Sequence, residues 1–345
     1  MKLHEIDPLR DQRWVAFIEQ HPNASLFHTP DWLRALQCTY SYEPVVFSDA
    51  GPGEPLRSAL LFCRVRSWMT GSRLVSLPFS DHCEPLVESR DTLGRILDVL
   101  QTRLSSEGRY IEMRPLTAVE GARGFVPSAG YCLHTVNLRA DLTAVFEGFH
   151  RNHVQRSIRK AERLGVQVDA GRSSDLLDIF YSLHTITRRR HGVPVQPRSW
   201  FQSIINSLGD RVVVHVAKHE GRPVAAIVTA AHKRTLVYKY GCSDVAYNRL
   251  GAMSLLFWRA IQTAKERGLE ELDLGRTDLD NPGLLAFKDH LGGTRRPLTY
   301  YRCSVNGGAT QRANAWTPAI ARQAYALVPK SIQVNLSRAF YRHFA

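Results

Sequence analysis

One plan of elements occurs twice along this chain, and that repeat constrains the fold more than any other feature. The first copy runs from Ala59 to Pro115. It reads as an apolar strand over Ala59–Arg64, a turn at Thr70-Gly71-Ser72 and a strand over Arg73–Phe79. A polar loop over Ser80–Glu84, a helix over Arg90–Glu107, Gly108 and a strand over Arg109–Met113 complete it. About 165 residues later the order returns, a distance that marks duplicated domains and not a solenoid, whose periods are ~20–50 residues. Here strands over Pro223–Ala231 and Thr235–Tyr240 lead through the polar loop Gly241–Arg249 to a helix over Gly251–Arg267, then Gly268 and a strand over Glu270–Leu274. In that helix Met253, Leu256, Phe257, Ala260, Ile261 and Ala264 recur at helical spacing, with Gln262, Lys265 and Glu266 opposite. Gly268 suits the position just past a helix end, where positive φ is needed. A strand that follows at once makes helix and strand one crossover unit. The fold class expected is therefore α/β: two tandem domains, each a mixed central sheet flanked by helices.

Between the copies lies a basic helical segment. Asp141–His150 and Asn152–Leu164 read as helix ended by Gly165, and Arg156, Arg159, Lys160 and Arg163 share one face. Further helices are expected over Leu176–Arg190 and Trp200–Leu208, and a strand over Arg211–Lys218. Charge divides the chain in the same place. Residues 1–140 carry a net charge of −1 and residues 141–345 carry +14, with no acidic residue after Asp289. Such asymmetry suits an anionic partner for the second part or a solvated basic surface. The partition expected is 1–140, 141–305 and a basic tail, 306–345, with an amphipathic helix over Ile332–His343. Trp316, Tyr325, Phe340 and Tyr341 would rest on an anionic membrane or pack between domains.

No apolar run reaches the ~18–20 residues that span a bilayer, and the N-terminus lacks the apolar segment of a secretory signal. A cytoplasmic protein is expected, peripheral on the inner face of the membrane if the tail docks there. The six cysteines show no zinc-knuckle or redox spacing, so reduced thiols and no metal are expected.

Strand, polar loop, helix, glycine and strand also form the central unit of GNAT acyltransferases, which the chain resembles. In that family the loop and helix N-terminus hold the pyrophosphate of coenzyme A. The resemblance places this role on Asn248 and Gly251 within Asn248-Arg249-Leu250-Gly251-Ala252-Met253, where the middle glycine matches and Asn248 and Met253 depart from the usual pattern. Four segments are similar to the Fem-like branch, the peptidoglycan-bridge aminoacyl transferases and their relatives, which carry two GNAT-like domains. They are Ser157-Ile158-Arg159-Lys160-Ala161 with Gly165, Arg190-His191-Gly192-Val193-Pro194, Tyr238-Lys239-Tyr240-Gly241-Cys242-Ser243-Asp244, and Gly283-Leu284-Leu285-Ala286-Phe287-Lys288 closed by Leu291-Gly292-Gly293. No coiled-coil arm of the peptidoglycan-bridge enzymes is found, which favours the shorter relatives from polysaccharide operons.

The resemblance implies an acyl- or aminoacyl-transferase acting on a cell-envelope or polysaccharide precursor, soluble or lipid-linked. It implies no tightly bound cofactor, with acyl-CoA, acyl-carrier protein or aminoacyl-tRNA as donor. Lys288 is the implied catalytic residue, a fixed cation for the oxyanion of acyl transfer; a surface lysine lying along its helix is the alternative. Asp278, Asp280 and His290 are candidates for the general base, and each also suits a turn or cap. Tyr240 and Asp244 flank a strand end where ligands gather in α/β sheets, and Arg276 suits a phosphate or carboxylate; purely structural roles are the alternative for all three. Arg156 and Arg159 are candidates to grip a tRNA backbone or a nucleotide-sugar diphosphate. In the first copy, His82 within Ser80-Asp81-His82-Cys83-Glu84 is a candidate for acceptor binding, a Cys83 nucleophile is disfavoured because adjacent side chains point apart, and a simple turn is favoured over both. The competing reading is a non-catalytic RNA- or membrane-surface-binding protein on a GNAT scaffold.

Overall fold

A computed structural model describes residues 2–68, 71–119, 122–304 and 341–343, divided into two compact units. The first holds β1 (His4–Ile6), α1 (Gln12–Gln20), α2 (Pro30–Tyr40), β2 (Glu43–Ser48), β3 (Ala59–Ser67), β4 (Gly71–Ser76), α3 (Arg90–Glu107) and β5 (Tyr110–Met113). Strand β6 (Val126–Asn137) passes into the second unit, which continues with α4 (Leu142–Glu147), α5 (Arg156–Arg163), β7 (Gln167–Gly171), α6 (Ser174–Arg190) and α7 (Arg198–Leu208). It is completed by β8 (Val212–His219), β9 (Arg222–His232), β10 (Thr235–Ser243), α8 (Ala252–Glu266), β11 (Glu271–Asp278) and α9 (Pro282–His290). The chain then returns: from Pro297 onward, β12 (Thr294–Ser304) belongs to the first unit.

The two copies of the repeat are the two parallel crossovers. Within the first unit the strand order is β1-β2-β3-β4-β5-β12, and within the second it is β6-β11-β10-β9-β8-β7. β3 and β4 pair antiparallel, β4 and β5 parallel with Leu74 opposite Ile111. β9 and β10 pair antiparallel, β10 and β11 parallel with Thr235 opposite Glu271. Even the closing hydrogen bond recurs: Arg109 N donates to Ser72 O at 2.8 Å, and Glu270 N to Arg234 O at 2.7 Å. Each crossover helix buries its apolar stripe on the sheet. Leu255, Leu256, Phe257 and Ile261 of α8 pack on Ile227, Leu272 and Leu274, and Ile96, Leu97 and Leu100 of α3 pack with Phe47, Leu74 and Ile111. Each such side chain, fully buried, contributes roughly 1.5–3 kcal/mol.

The boundaries differ from a cut at residue 140. Cys132–Asn137 lie on β6 beside β11 and fold with the second unit, whereas residues 297–304 fold with the first. The physical reason is strand pairing: Tyr301–Ser304 are antiparallel to Met113–Tyr110, with Cys303 buried opposite Ile111. Most of the expected tail, with Trp316, Tyr325 and Phe340, lies outside the described residues. Tyr341–His343 form a short 3-10 turn in the first unit, where His343 Nδ1 lies 2.9 Å from Ser67 Oγ and Tyr341 packs against Phe79.

Candidate functional site

The second crossover opens where its parallel strands part. Pairing joins Thr235–Val237 to Glu271–Asp273, yet β10 runs on to Ser243 and β11 to Asp278. A bulge between Tyr238 and Tyr240 marks the departure of β10. Backbone groups released from a ladder need other partners. Lys288 supplies them for β11: its Nζ donates to Gly275 O at 2.8 Å and to Arg276 O at 3.1 Å, and the residue is 2% exposed. On the same strand Asp273 Oδ1 accepts from Gly275 N at 2.7 Å.

The local sequence explains how the ammonium comes to lie there. Asn281 caps α9 through Leu284 N, and Pro282 occupies its first turn. At the other end Gly293 N donates to Lys288 O at 3.0 Å, and a Cβ on Gly293 would stand 2.6 Å from that oxygen. Only glycine lets the chain fold this closely over the lysine. Gly293 therefore serves to position Lys288.

Sequence reasoning missed His134, which lies on β6 and is fully buried. Its Nε2 is 3.2 Å from Asp289 Oδ1, and Asp289 in turn accepts from Arg295 Nε at 2.7 Å and from its Nη2. Burial and then the Lys288 charge lower the His134 pKa, against the bond to Asp289. The hydrogen bond from Arg295, above all, lowers the pKa of Asp289. A neutral imidazole thus faces an ionised carboxylate beside a buried cation. Nothing in the sequence flags His134, since its partner lies 155 residues further along the chain.

The remaining candidates divide into exposed side chains and structural ones. Arg156 and Arg159 are exposed on α5, with the Arg159 guanidinium 5.5 Å from the Phe146 ring centre, while Ile158 and Ala161 face the core. Arg276 is half-buried and Asp278 is exposed at the end of β11. Tyr240 accepts through its hydroxyl from Trp200 Nε1 at 2.7 Å. Asp244 caps the short turn Val245–Leu250 by accepting from Ala246 N. Asn248 accepts from Ser243 Oγ at 3.1 Å. Gly251, at φ +79°, precedes α8, and a Cβ there would collide with Ser157 O of α5, so helix packing alone demands glycine. His290 is half-buried and stacks on His153 with ring centres 4.3 Å apart. Burial first, then His153 and His150, lower its pKa. In the first unit His82 is buried with its ring edge-on to Phe27. Burial pushes its neighbour Cys83 up to about 12, so no thiolate is present near neutrality.

Two of the recurring motifs are helix stops. After α6, Val193 N donates to Arg188 O and Gly192 N to Arg189 O, and after α5, Val166 N donates to Ala161 O and Gly165 N to Glu162 O. Both pairs close a helix end through its last free carbonyls. In the strand motif, the Tyr238 hydroxyl lies where a Cβ on Gly241 would project, which keeps that position small.

Two units that each carry a strand, crossover helix and parallel strand on a mixed sheet define a class: tandem α/β proteins of the GNAT type. Comparison with known proteins agrees. Residues 148–289 match the acetyltransferase (GNAT) domain family. A stretch of 134 residues is 28% identical to the UDP-N-acetylmuramoylpentapeptide-lysine N(6)-alanyltransferase of Weissella viridescens, taking in 38% of this chain and 40% of that enzyme. Among solved structures, FemX superposes with a TM-score of 0.68 at 15% identity, over 89% of this chain and 98% of FemX. A tandem GNAT protein from the clavulanic acid biosynthesis pathway gives 0.55 at 11% identity, over 89% of this chain and 99% of that one. The fold is thus that of tandem GNAT proteins, and residues 148–289 match a GNAT domain.

Proposed function

We propose that the protein is an acyl- or aminoacyl-transferase that modifies an amine or hydroxyl of a cell-envelope or polysaccharide precursor. The observation that carries the reading is the buried Lys288 ammonium, held by two β11 carbonyls beside the parting of β10 and β11. Acyl transfer passes through a tetrahedral oxyanion, and a cation already fixed by burial stabilises it without reorganisation. The similarity to an alanyltransferase of a nucleotide-linked pentapeptide favours an aminoacyl donor and a nucleotide-linked or lipid-linked acceptor. The net +14 of residues 141–345 and the exposed Arg156 and Arg159 suit an aminoacyl-tRNA or a diphosphate. Ser157 O, close against Gly251, gives that glycine a role that needs no coenzyme A. Asp278, exposed on β11 two residues past Arg276, is the proposed proton acceptor.

The test supplies alanyl-tRNA or acetyl-CoA together with a UDP-linked muramoyl pentapeptide, and follows product by mass spectrometry. Lys288→Met should lower kcat roughly 100- to 1,000-fold with little change in KM, while circular dichroism reports an intact fold. Unchanged turnover in a folded K288M variant would rule out the lysine mechanism. Absence of transfer from either donor would favour a binding protein on this scaffold.

A further inference from the structure

Three histidines outside the Lys288 environment converge on one point of the second unit. His150 precedes a single π-helical turn, Arg151–Gln155, which contains His153, and His290 ends α9. Their ring centres lie 4.6 Å apart for His150 and His153, 4.4 Å for His150 and His290, and 4.3 Å for His153 and His290, the last pair parallel within 2°. One ring nitrogen from each falls within 4.8 Å of the other two. His150 and His153 are exposed and His290 is half-buried, so solvent and an ion have access.

The backbone beneath them is pinned. His150 N donates to His290 O at 2.8 Å, which fixes the two segments in register. Next to this bond, a Cβ on Gly292 would stand 3.3 Å from Gly148 O, so the loop after α9 rests on the loop before His150. The wide π turn also bears on the rings, because it alters the angular spacing between His150 and His153 relative to a regular helix. Convergence of the three rings is therefore a property of the fold.

We propose that His150, His153 and His290 form a binding site for a divalent ion of the zinc, nickel or copper class. Three imidazoles and no carboxylate select this class over magnesium or calcium, which prefer oxygen. Zinc–nitrogen bonds of about 2.0–2.1 Å call for the rings to draw inward, which the exposed His150 and His153 do toward His290 by rotation about χ1 and χ2. Three protein ligands leave a tetrahedral ion one open position, for water or an anionic oxygen. His150 sets the strength of the site. Its Nδ1 now accepts from Asn152 N at 3.2 Å and His153 N at 3.4 Å, and a neutral imidazole has a single lone pair. Binding through His150 thus displaces two long capping bonds, which lowers the affinity of the site.

The experiment titrates Zn2+ into protein free of any histidine tag, by calorimetry and by competition with a chromophoric chelator. One ion per chain is expected, with a rise in melting temperature that saturates with binding. His153→Gln should weaken binding roughly tenfold or more. His150→Asn removes the ligand while keeping a good helix cap, so it should lose the ion and keep the fold. Equal affinity in wild type, H153Q and H150N, or no saturable binding to the wild type, overturns the site.

Discussion

Two buried histidines set an acid limit on the second unit. His184 Nε2 lies 2.8 Å from Gln196 Oε1, and His215 Nε2 lies 3.0 Å from Thr229 Oγ1. Burial lowers their pKa values to about 3 and about 4. Because the folded values are below the unfolded value near 6.5, the unfolded chain binds the proton first as pH falls. Their stabilisation is complete above about pH 6.5 and declines below it, by on the order of 1–2 kcal/mol for each histidine at pH 5. Melting temperatures between pH 7.5 and 5 should fall accordingly, and His215→Leu should flatten that profile even if its absolute stability is lower. A profile for H215L as steep as the wild type would remove His215 from the account. His134 contributes with the same sign, since its pKa is also lowered, whereas Asp289 beside it favours the ionised form.

Among elements, the contact between α5 and the start of α8 shows how packing assigns a motif its meaning. Gly251 answers two demands at once: a positive φ and a carbonyl, Ser157 O, standing where a Cβ would need room. Gly268, after the same helix, has a positive φ but nothing within 4 Å of a Cβ. Gly251→Ala should therefore cost about 2–4 kcal/mol, and Gly268→Ala only about 1 kcal/mol, measured as shifts in urea midpoint. Equal losses would mean that α5 yields to the methyl group. The alternation and helical periodicity of the repeat foretold β9, β10, α8 and β11 closely. They did not foretell how far β10 and β11 run past their pairing, because a strand that leaves its partner keeps the same residue pattern.

At the scale of the whole chain, the return of residues 297–304 to the first unit is held by a buried charge cluster. Glu112 is 4% exposed and accepts from Arg114 Nε at 2.9 Å and from Arg302 Nε at 2.7 Å. Burial would raise its pKa, but the Arg114 and Arg302 guanidiniums outweigh this and hold the carboxyl below the usual range. Glu112→Gln leaves two guanidiniums without their counter-charge and should cost about 3 kcal/mol. The check is denaturant unfolding followed by Trp14 and Trp32, both buried in the first unit. An unchanged midpoint would show that the arginines find other partners.

Repetition, periodicity and glycine placement determined much in advance: the duplicated α/β plan, the crossover helices and the stops after them. These are local signals, written in residues within a turn or a strand of one another. Only the tertiary structure decided that β12 closes the first unit, that Lys288 turns inward onto Gly275 and Arg276, and that His134 meets Asp289. It likewise brought His150 and His153 to His290. Each of these depends on contacts between residues far apart in sequence, where burial and backbone pairing choose partners that no local pattern records.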